Sequence, residues 1–477
     1  MVTELIVGIF LAGYLIIALE HPLKIDKACV ALITGTLLWV IYAMYGADIV
    51  PRYNAEELLH FIDTHPAIAQ LPAIEQCVKY IVDVQIIEQL GEISETLFFL
   101  IGAMTIVELI DVHGGFAIIT NRITTRNKTK LLWIICFITF FLSALLDNMT
   151  TSIVMVMLLR RIIKNYKERW VYASMIIIAA NSGGAWSPIG DITTIMLWVR
   201  GNVTTPGLMP IFLPSLVSML IPMFISSRLL HGIVTASGSG SEASGSWLKI
   251  ITRKERASIL LLGVGCLVAV PVFKSVTHLP PFMGILMALG IMWLYTEIMY
   301  KHKVCVDEAL KHRVPRVIRR VDIPTVLFFL GILLAVGALQ MTGVLASFAK
   351  MLDDNVHNVY LINALTGVMS SVVDNVPLVA AAIGMYPLAD AVSVSAAVDP
   401  EYMSAFMPDG IFWQLMAYCA GVGGSILIIG SVSGVVIMGI ERISFGWYLK
   451  NVSYMALIGY LAGIGVFMLE QLAMGRL

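Results

Sequence analysis

Charge is scarce in this chain. Only 13% of its 477 residues are Asp, Glu, Lys or Arg, and 58% are hydrophobic. A soluble domain carries about 25% charged residues and about 45–50% apolar ones. The mean hydropathy of +0.86 points the same way. This shortage argues against a soluble enzyme, and the apolar excess excludes a disordered or collagen-like chain. Basic excess is absent too: 31 Lys and Arg stand against 32 Asp and Glu, a net charge of −1. No nucleic-acid partner is therefore expected. Cysteine is sparse, with Cys29, Cys77, Cys136, Cys266, Cys305 and Cys419 scattered and forming no CxxC pair. That leaves no disulfide framework and no zinc centre. Neither a Walker-type phosphate loop nor HExxH occurs, so nothing points to an enzyme or to a cofactor.

What is present is a series of apolar blocks: 4–19, 28–46, 96–112, 131–159, 171–199, 208–230, 257–273, 282–300, 324–342, 358–389, 411–440 and 451–473. A bilayer crossing needs about 20 such residues per helix, whereas a transmembrane barrel shows short alternating segments. An all-α polytopic membrane protein follows, with the lipid bilayer as its first partner. The N-terminus lacks a basic stretch and a small-residue cleavage site, so 4–19 reads as a retained first span. Four blocks are too long or too interrupted for one simple helix. Their middles hold Asp147-Asn148, the stretch Asn181 to Asp191, Asp374-Asn375-Val376-Pro377, and Gly421 to Gly434.

Lys and Arg mark the cytoplasmic side. Residues 113–130 carry Arg122, Arg126, Lys128 and Lys130 without an acid, and 160–169 carry Arg160, Arg161, Lys164, Lys167 and Arg169. Residues 301–320 carry seven bases against Asp307 and Glu308. In contrast, 47–95 hold nine acids against Arg52 and Lys79, and 390–410 hold four acids and no base. Block 131–159 is thus flanked by basic loops on both sides and should enter and leave on the cytoplasmic side. It reads as a re-entrant hairpin with Asp147-Asn148 at its tip. Block 358–389 is the same object seen from outside, with Asp374-Asn375 at its tip. The acidic segment 47–95 has amphipathic patterning and is expected along the outer surface. His113, His231 and His357 lie at interfaces and read as solvated polar residues.

The Gly/Ser-rich stretch within 231–256 reads as a cytoplasmic linker between two similar halves, 1–230 and 257–477. TLFFL (96–100) echoes VLFFL (326–330), LSALLDNMTTSIVM (142–155) echoes MSSVVDNVPLVAAA (369–382), and SGGAWSPIGD (182–191) echoes VGGSILIIGS (422–431). The order is kept, at shifts of 230, 227 and 240. Each half has about five transmembrane helices plus one re-entrant hairpin. Five is odd, so the second half is inverted, as the charge map independently requires. Inverted repeats place the ion site near the midplane, at discontinuous helices.

Carboxylates inside spans are costly and mark function. Asp147, Asp374 and Asp191 each sit at a chain interruption. Ser143, Asn148, Thr150 and Thr151 surround the first tip, and Ser370, Ser371 and Asn375 the second. Ser187, Thr193 and Thr194 flank Asp191, while Ser425, Ser431 and Ser433 occupy the equivalent break. Such oxygens suit a hard cation, with Na+ expected at Asp147, Asn148, Asp374 and Asn375. An Asp-Asn pair can also serve as an N-cap for freed amides, and capping is compatible with binding. A sodium-coupled carrier of a small anion and an intramembrane aspartyl protease are the competing classes. The protease needs two carboxylates sharing a proton, not two tips crowded with Asn, Ser and Thr.

LSALLDNMTTSIVM, NSGGAWSPIGDITT, SSVVDNVP and GGSILIIGSVSG together resemble the NhaD-type sodium/proton antiporters of the ion transporter superfamily, over nearly the whole chain. The resemblance implies exchange of Na+, and often Li+, for H+ across a bacterial inner membrane. It also implies a scaffold and a transport domain, and a homodimer. By motif position it assigns ion handling to Ser143, Asp147, Asn148, Asn181, Asp191, Thr193, Thr194, Ser370, Asp374, Asn375, Ser425 and Ser431. Dicarboxylate carriers of the superfamily read Ser-Asn-Thr at the tips. Here both tips read Asp-Asn, and an added carboxylate repels an anion, attracts a cation and can carry a proton. The second tip departs from the pattern, since Asn375 is followed by Val376-Pro377.

Overall fold

The computed structural model describes residues 2–18, 24–116, 118, 125, 127–163, 165–230, 232–233, 251–301, 303, 311, 313–372 and 375–475. Asp374, His231 and most of the 231–256 linker lie outside them. The described residues are helical apart from turns, connecting segments and one isolated bridge, Asn127 to Ile233. The principal helices are α1 (Val2–Ala18), α2 (Lys27–Met44), α3 (Ala73–Val112), α4 (Lys128–Ser143), α5 (Asn148–Ile162), α6 (Tyr166–Ala185), α7 (Ile192–Val199), α8 (Pro206–Leu229), α9 (Arg253–Thr277), α10 (Pro281–Lys301), α11 (Ile323–Met341), α12 (Val359–Ser370), α13 (Asn375–Met385), α14 (Ile411–Gly423), α15 (Val432–Glu441) and α16 (Ser453–Ala473). Among the described residues seven helices are long and apolar enough to cross a membrane. The protein is a multi-pass helical membrane protein.

All four interruptions are breaks between helices, and each falls where the polar or glycine cluster predicts it: α4 to α5, α6 to α7, α12 to α13, and α14 to α15. Lipid offers no hydrogen bonds, so the amides freed at such breaks need partners from the protein. Side chains supply them. Asp147 caps α5 by accepting from the Thr150 amide, Asp191 caps α7 by accepting from Thr193, and Ser431 caps α15 by accepting from Gly434.

The span expected over 96–112 is the last part of α3, a helix of 40 residues with one π turn at Ile81–Gln85. Ile81, Gln85, Gln89 and Ile93 are buried, whereas Asp83, Glu88 and Glu92 are exposed. The acids occupy the opposite face of a continuous helix, so they do not end it.

The chain forms two compact units, and each draws on both sequence halves. The first comprises Met1–Leu97, Asp322–Asn358 and Val376–Leu388. Within it α2 packs along α11. The Trp39 indole donates to the Leu334 carbonyl at 2.9 Å, and the Tyr42 hydroxyl donates to Gln85 Oε1 at 2.8 Å. The second comprises Phe98–Val321, Val359–Asn375 and Ala389–Leu477. At its centre α6 is buried from Tyr172 to Ala185, and α14 from Phe412 to Gly423. Helices apolar on every face belong in an interior. On α9 and α10, Leu261, Val276 and Leu294 face outward, as a lipid solvent requires.

His113, expected to be solvated, is fully buried. Its Nδ1 lies 2.6 Å from the Leu109 carbonyl and its Nε2 lies 2.9 Å from the Tyr300 hydroxyl. Both ring nitrogens are hydrogen-bonded, which offsets its desolvation. Glu108, late in the span over 96–112, pairs with Arg320 at 3.6 Å.

Candidate ion-binding site

The second unit gathers the breaks of α4–α5, α6–α7 and α14–α15 around one side chain, Asn181, on the buried helix α6. Asn181 Nδ2 donates to Ser425 Oγ and to Ser431 Oγ, each at 2.9 Å. Its Oδ1 accepts from Ser433 Oγ at 2.8 Å and from Asn148 Nδ2 at 3.2 Å. The same Asn148 amide donates to Asp191 Oδ2 at 3.0 Å. Asp191 Oδ1 accepts from the amide and the hydroxyl of Thr193, both at 3.1 Å. Asn148, Asn181, Asp191, Ser425, Ser431 and Ser433 are all buried.

Three helix N-termini meet in this network. Asn148 is the first residue of α5, Asp191 precedes α7 and Ser431 precedes α15. Each end carries partial positive charge from its aligned peptide dipoles, which alone makes a seat for an anion. Asp191 fills that seat with the protein's own carboxylate. Among the described residues, Thr151 Oγ1 on α5 and Thr194 Oγ1 on α7 are buried without a hydrogen-bond partner. Thr151 lies three residues after Asn148, on the same face of α5. Leaving a buried hydroxyl unsatisfied costs about 1–3 kcal/mol, and a cation is one ligand that would satisfy it.

Other expected residues stand around this network. Asp147 is half-buried, and its Oδ1 accepts from the Thr150 amide at 2.7 Å. It is Asn148 that reaches Asn181 and Asp191, because α5 starts there and successive side chains on a helix point about 100° apart. Ser143 donates to the Ala180 carbonyl at 2.7 Å, and Ser187 to the Ala144 carbonyl at 2.5 Å. These two hydroxyls fasten α4 and the α6–α7 break to one another. Asn375 is buried at the start of α13. Asp374 beside it lies outside the described residues.

Matched contacts recur at the echoed positions. Ser370 donates to the Ala420 carbonyl at 2.9 Å, the counterpart of Ser143 on Ala180 at the shifts of 227 and 240. An added Cβ at Gly183 would overlap the Phe140 carbonyl, and one at Gly423 would overlap the Gly367 carbonyl. These glycines let α6 and α14 approach α4 and α12 backbone to backbone. Where the first half has Asp191, the second has Ser431, so the two breaks are alike in shape and unequal in charge.

Two contributors carried weaker sequence signals. Tyr448, buried, donates to the Ser425 carbonyl at 2.8 Å. Glu441 ends α15 and has a fully buried side chain. Its position next to Arg442 gives it the look of an interfacial residue.

The profile of the citrate transporter family (CitMHS) matches residues 14–407. Sodium/proton antiporter 1 of Arabidopsis thaliana is 41% identical over 96% of this chain and 71% of its own length. Sodium/proton antiporter 2 of the same plant is 39% identical over 96% of this chain and 98% of its own. The Na(+)/H(+) antiporter NhaD of Alkalimonas amylolytica is 27% identical over 96% and 89%. The match spans most of the chain and takes in the α4–α5, α6–α7 and α12–α13 breaks, so the chain belongs to the citrate transporter family, as an ion transporter of the NhaD type.

Proposed function

We propose that the protein is a secondary active antiporter that exchanges Na+, and Li+, for H+ by alternating access. Carboxylates are shared by cation and proton: the buried Asp191 within the network, Asp147 at the adjoining tip and Asp374 at the second. The observation that carries this reading is the Asp191 carboxylate, buried and bonded to the Asn148 amide where three helix N-termini converge. A carrier of citrate would leave those positive ends free for the substrate. Here a fixed carboxylate neutralises them and repels a second anion, while the Thr151 and Thr194 hydroxyl oxygens are of the kind that suits a hard cation. The names of the relatives support the same exchange.

The matched contacts at shifts of 227 and 240 support two repeats, and the alternation of basic and acidic loops supports their inversion. The hairpin 131–159 then opens from the cytoplasmic side and 358–389 from the outside. A homodimer in the bacterial inner (plasma) membrane completes the reading. In a cysteine-free variant, single cysteines placed in 122–130 and in 160–169 are expected to react only from the cytoplasmic side. Those in 351–357 and 391–405 are expected to react only from outside. Opposite-side labelling within either pair would remove the corresponding hairpin.

The function itself is tested in proteoliposomes of purified protein. Added Na+ is expected to collapse a preformed pH gradient, and citrate or succinate should neither be taken up nor alter Na+ flux. Saturable, Na+-dependent uptake of labelled citrate without proton exchange would replace antiport by sodium-coupled anion transport.

A further inference from the structure

The three helices that bring Asn148, Asn181 and Ser431 to the site meet a second time, at their far ends. Glu441 closes α15 there, and its side chain is fully buried. Arg160, near the end of α5, donates from Nε to Glu441 Oε1 at 2.6 Å. Arg169, in the first turns of α6, donates from Nε to Glu441 Oε2 at 2.8 Å. Arg160 also reaches the Ile440 carbonyl, Arg169 reaches the Ile163 carbonyl at 3.1 Å, and the Trp170 indole donates to the Glu441 carbonyl at 2.9 Å. Both carboxylate oxygens are thus held, each by a different helix.

The spacing ties this cluster to the site. From Asn148 to Arg160 on α5, and from Asn181 back to Arg169 on α6, the rise is about 18 Å; from Ser431 to Glu441 on α15 it is about 15 Å. Three segments of nearly equal length therefore join one polar cluster to the other, and α5, α6 and α15 pack pairwise along the way. Site geometry is set by where these helices begin. A charge-assisted contact at their other ends fixes their sliding and tilt. A carboxylate with no exposed surface is costly to bury unless its charge is paired and hydrogen-bonded in such a geometry.

We propose that Glu441 is a positioning residue for ion binding. Gripped by Arg160 and Arg169, it locks α5, α6 and α15 into one body and so holds Asn148, Asn181 and Ser431 at their mutual spacing. This rests on the antiport reading above. Weakening the grip loosens the cation site without touching it, so apparent Na+ affinity falls more than the maximal rate does.

The test compares Glu441→Gln with two other variants in proteoliposomes, measuring Na+-driven proton flux against Na+ concentration. Glu441→Gln keeps size and one acceptor oxygen and removes the charge. Its apparent KM for Na+ is expected to rise at least about fivefold, with kcat within about twofold of wild type. Arg160→Gln removes only the more exposed arm and leaves Arg169 in place, so a smaller rise in KM, about two- to threefold, is expected even if Glu441→Gln fails to fold. Glu108→Gln breaks a different carboxylate pair, the one with Arg320, and should leave KM unchanged. A KM within experimental error of wild type in both Arg160→Gln and Glu441→Gln would overturn the proposal. So would an equal rise in Glu108→Gln, which would signal general loosening. Absence of Na+-driven flux in the wild-type protein would instead overturn the antiport reading.

Discussion

Asp191→Asn is expected to abolish Na+-driven proton exchange while leaving a protein that inserts and folds. Two effects combine. The substitution removes the carboxylate that balances a bound cation among three converging helix N-termini, and breaking a buried charge pairing costs about 3–5 kcal/mol. At 1.4 kcal/mol per tenfold, that is roughly a hundredfold to a few thousandfold in Na+ affinity. The hydrogen-bond pattern also fails. Oδ1 of Asp191 accepts from Thr193, and Oδ2 accepts from the Asn148 amide. An asparagine that keeps its oxygen toward Thr193 turns its NH2 toward the Asn148 NH2, donor against donor. Asp191→Ser installs the residue found at the equivalent second break, Ser431, and keeps a good N-cap for α7. It too should fail to exchange, because charge and not shape distinguishes the two breaks. Flux assays on both variants, with size-exclusion profiles to confirm folding, check this. Near-normal exchange in Asp191→Ser would remove Asp191 from the ion path.

Asp147→Asn is expected to give the second large loss for a more limited reason. Asparagine caps a helix about as well as aspartate, so the Thr150 amide keeps its partner and α5 still starts at Asn148. The network around Asn181 is preserved. What disappears is a titratable group at the tip beside it, so exchange should fall below detection with little change in thermal stability. Asp147→Ala removes the cap as well, and is expected to lose about 1 kcal/mol of stability in addition. Asp147→Glu keeps a titratable carboxylate and should retain partial exchange with an altered Na+/Li+ preference. Wild-type exchange in Asp147→Asn would confine that residue to capping.

The interruptions of the apolar blocks were legible because glycine, proline and short polar side chains stand out against leucine and isoleucine. Each of the four became a break between helices. The echo between halves was legible as well, and it reappears as Ser143 on Ala180 and Ser370 on Ala420. Less legible was which side chain at a break faces the network. Asp147 and Asn148 are adjacent in sequence, yet only the second meets Asn181 and Asp191, and that depends on the residue at which α5 begins. Asn181 was recognisable as a polar residue in an apolar block. Its place at the centre depends on partners as far as 252 residues away. Glu441 was hidden for the same reason, since Arg160 and Arg169 lie 281 and 272 residues from it. The length of α3 was hidden by its acids, which suggest a loop until helical periodicity places them on one face.

The central claim is that Na+ and H+ compete for the same carboxylates. Its most direct test is the apparent KM for Na+ of the wild-type protein, measured from Na+-driven proton flux in proteoliposomes at several pH values. Where protons occupy the site, each unit of falling pH is about 1.4 kcal/mol of proton binding that Na+ must displace. The KM should therefore rise about tenfold per pH unit for each competing proton, with the maximal rate at saturating Na+ little changed. A KM for Na+ that stays constant across the whole pH range would contradict a shared site and require separate paths for cation and proton.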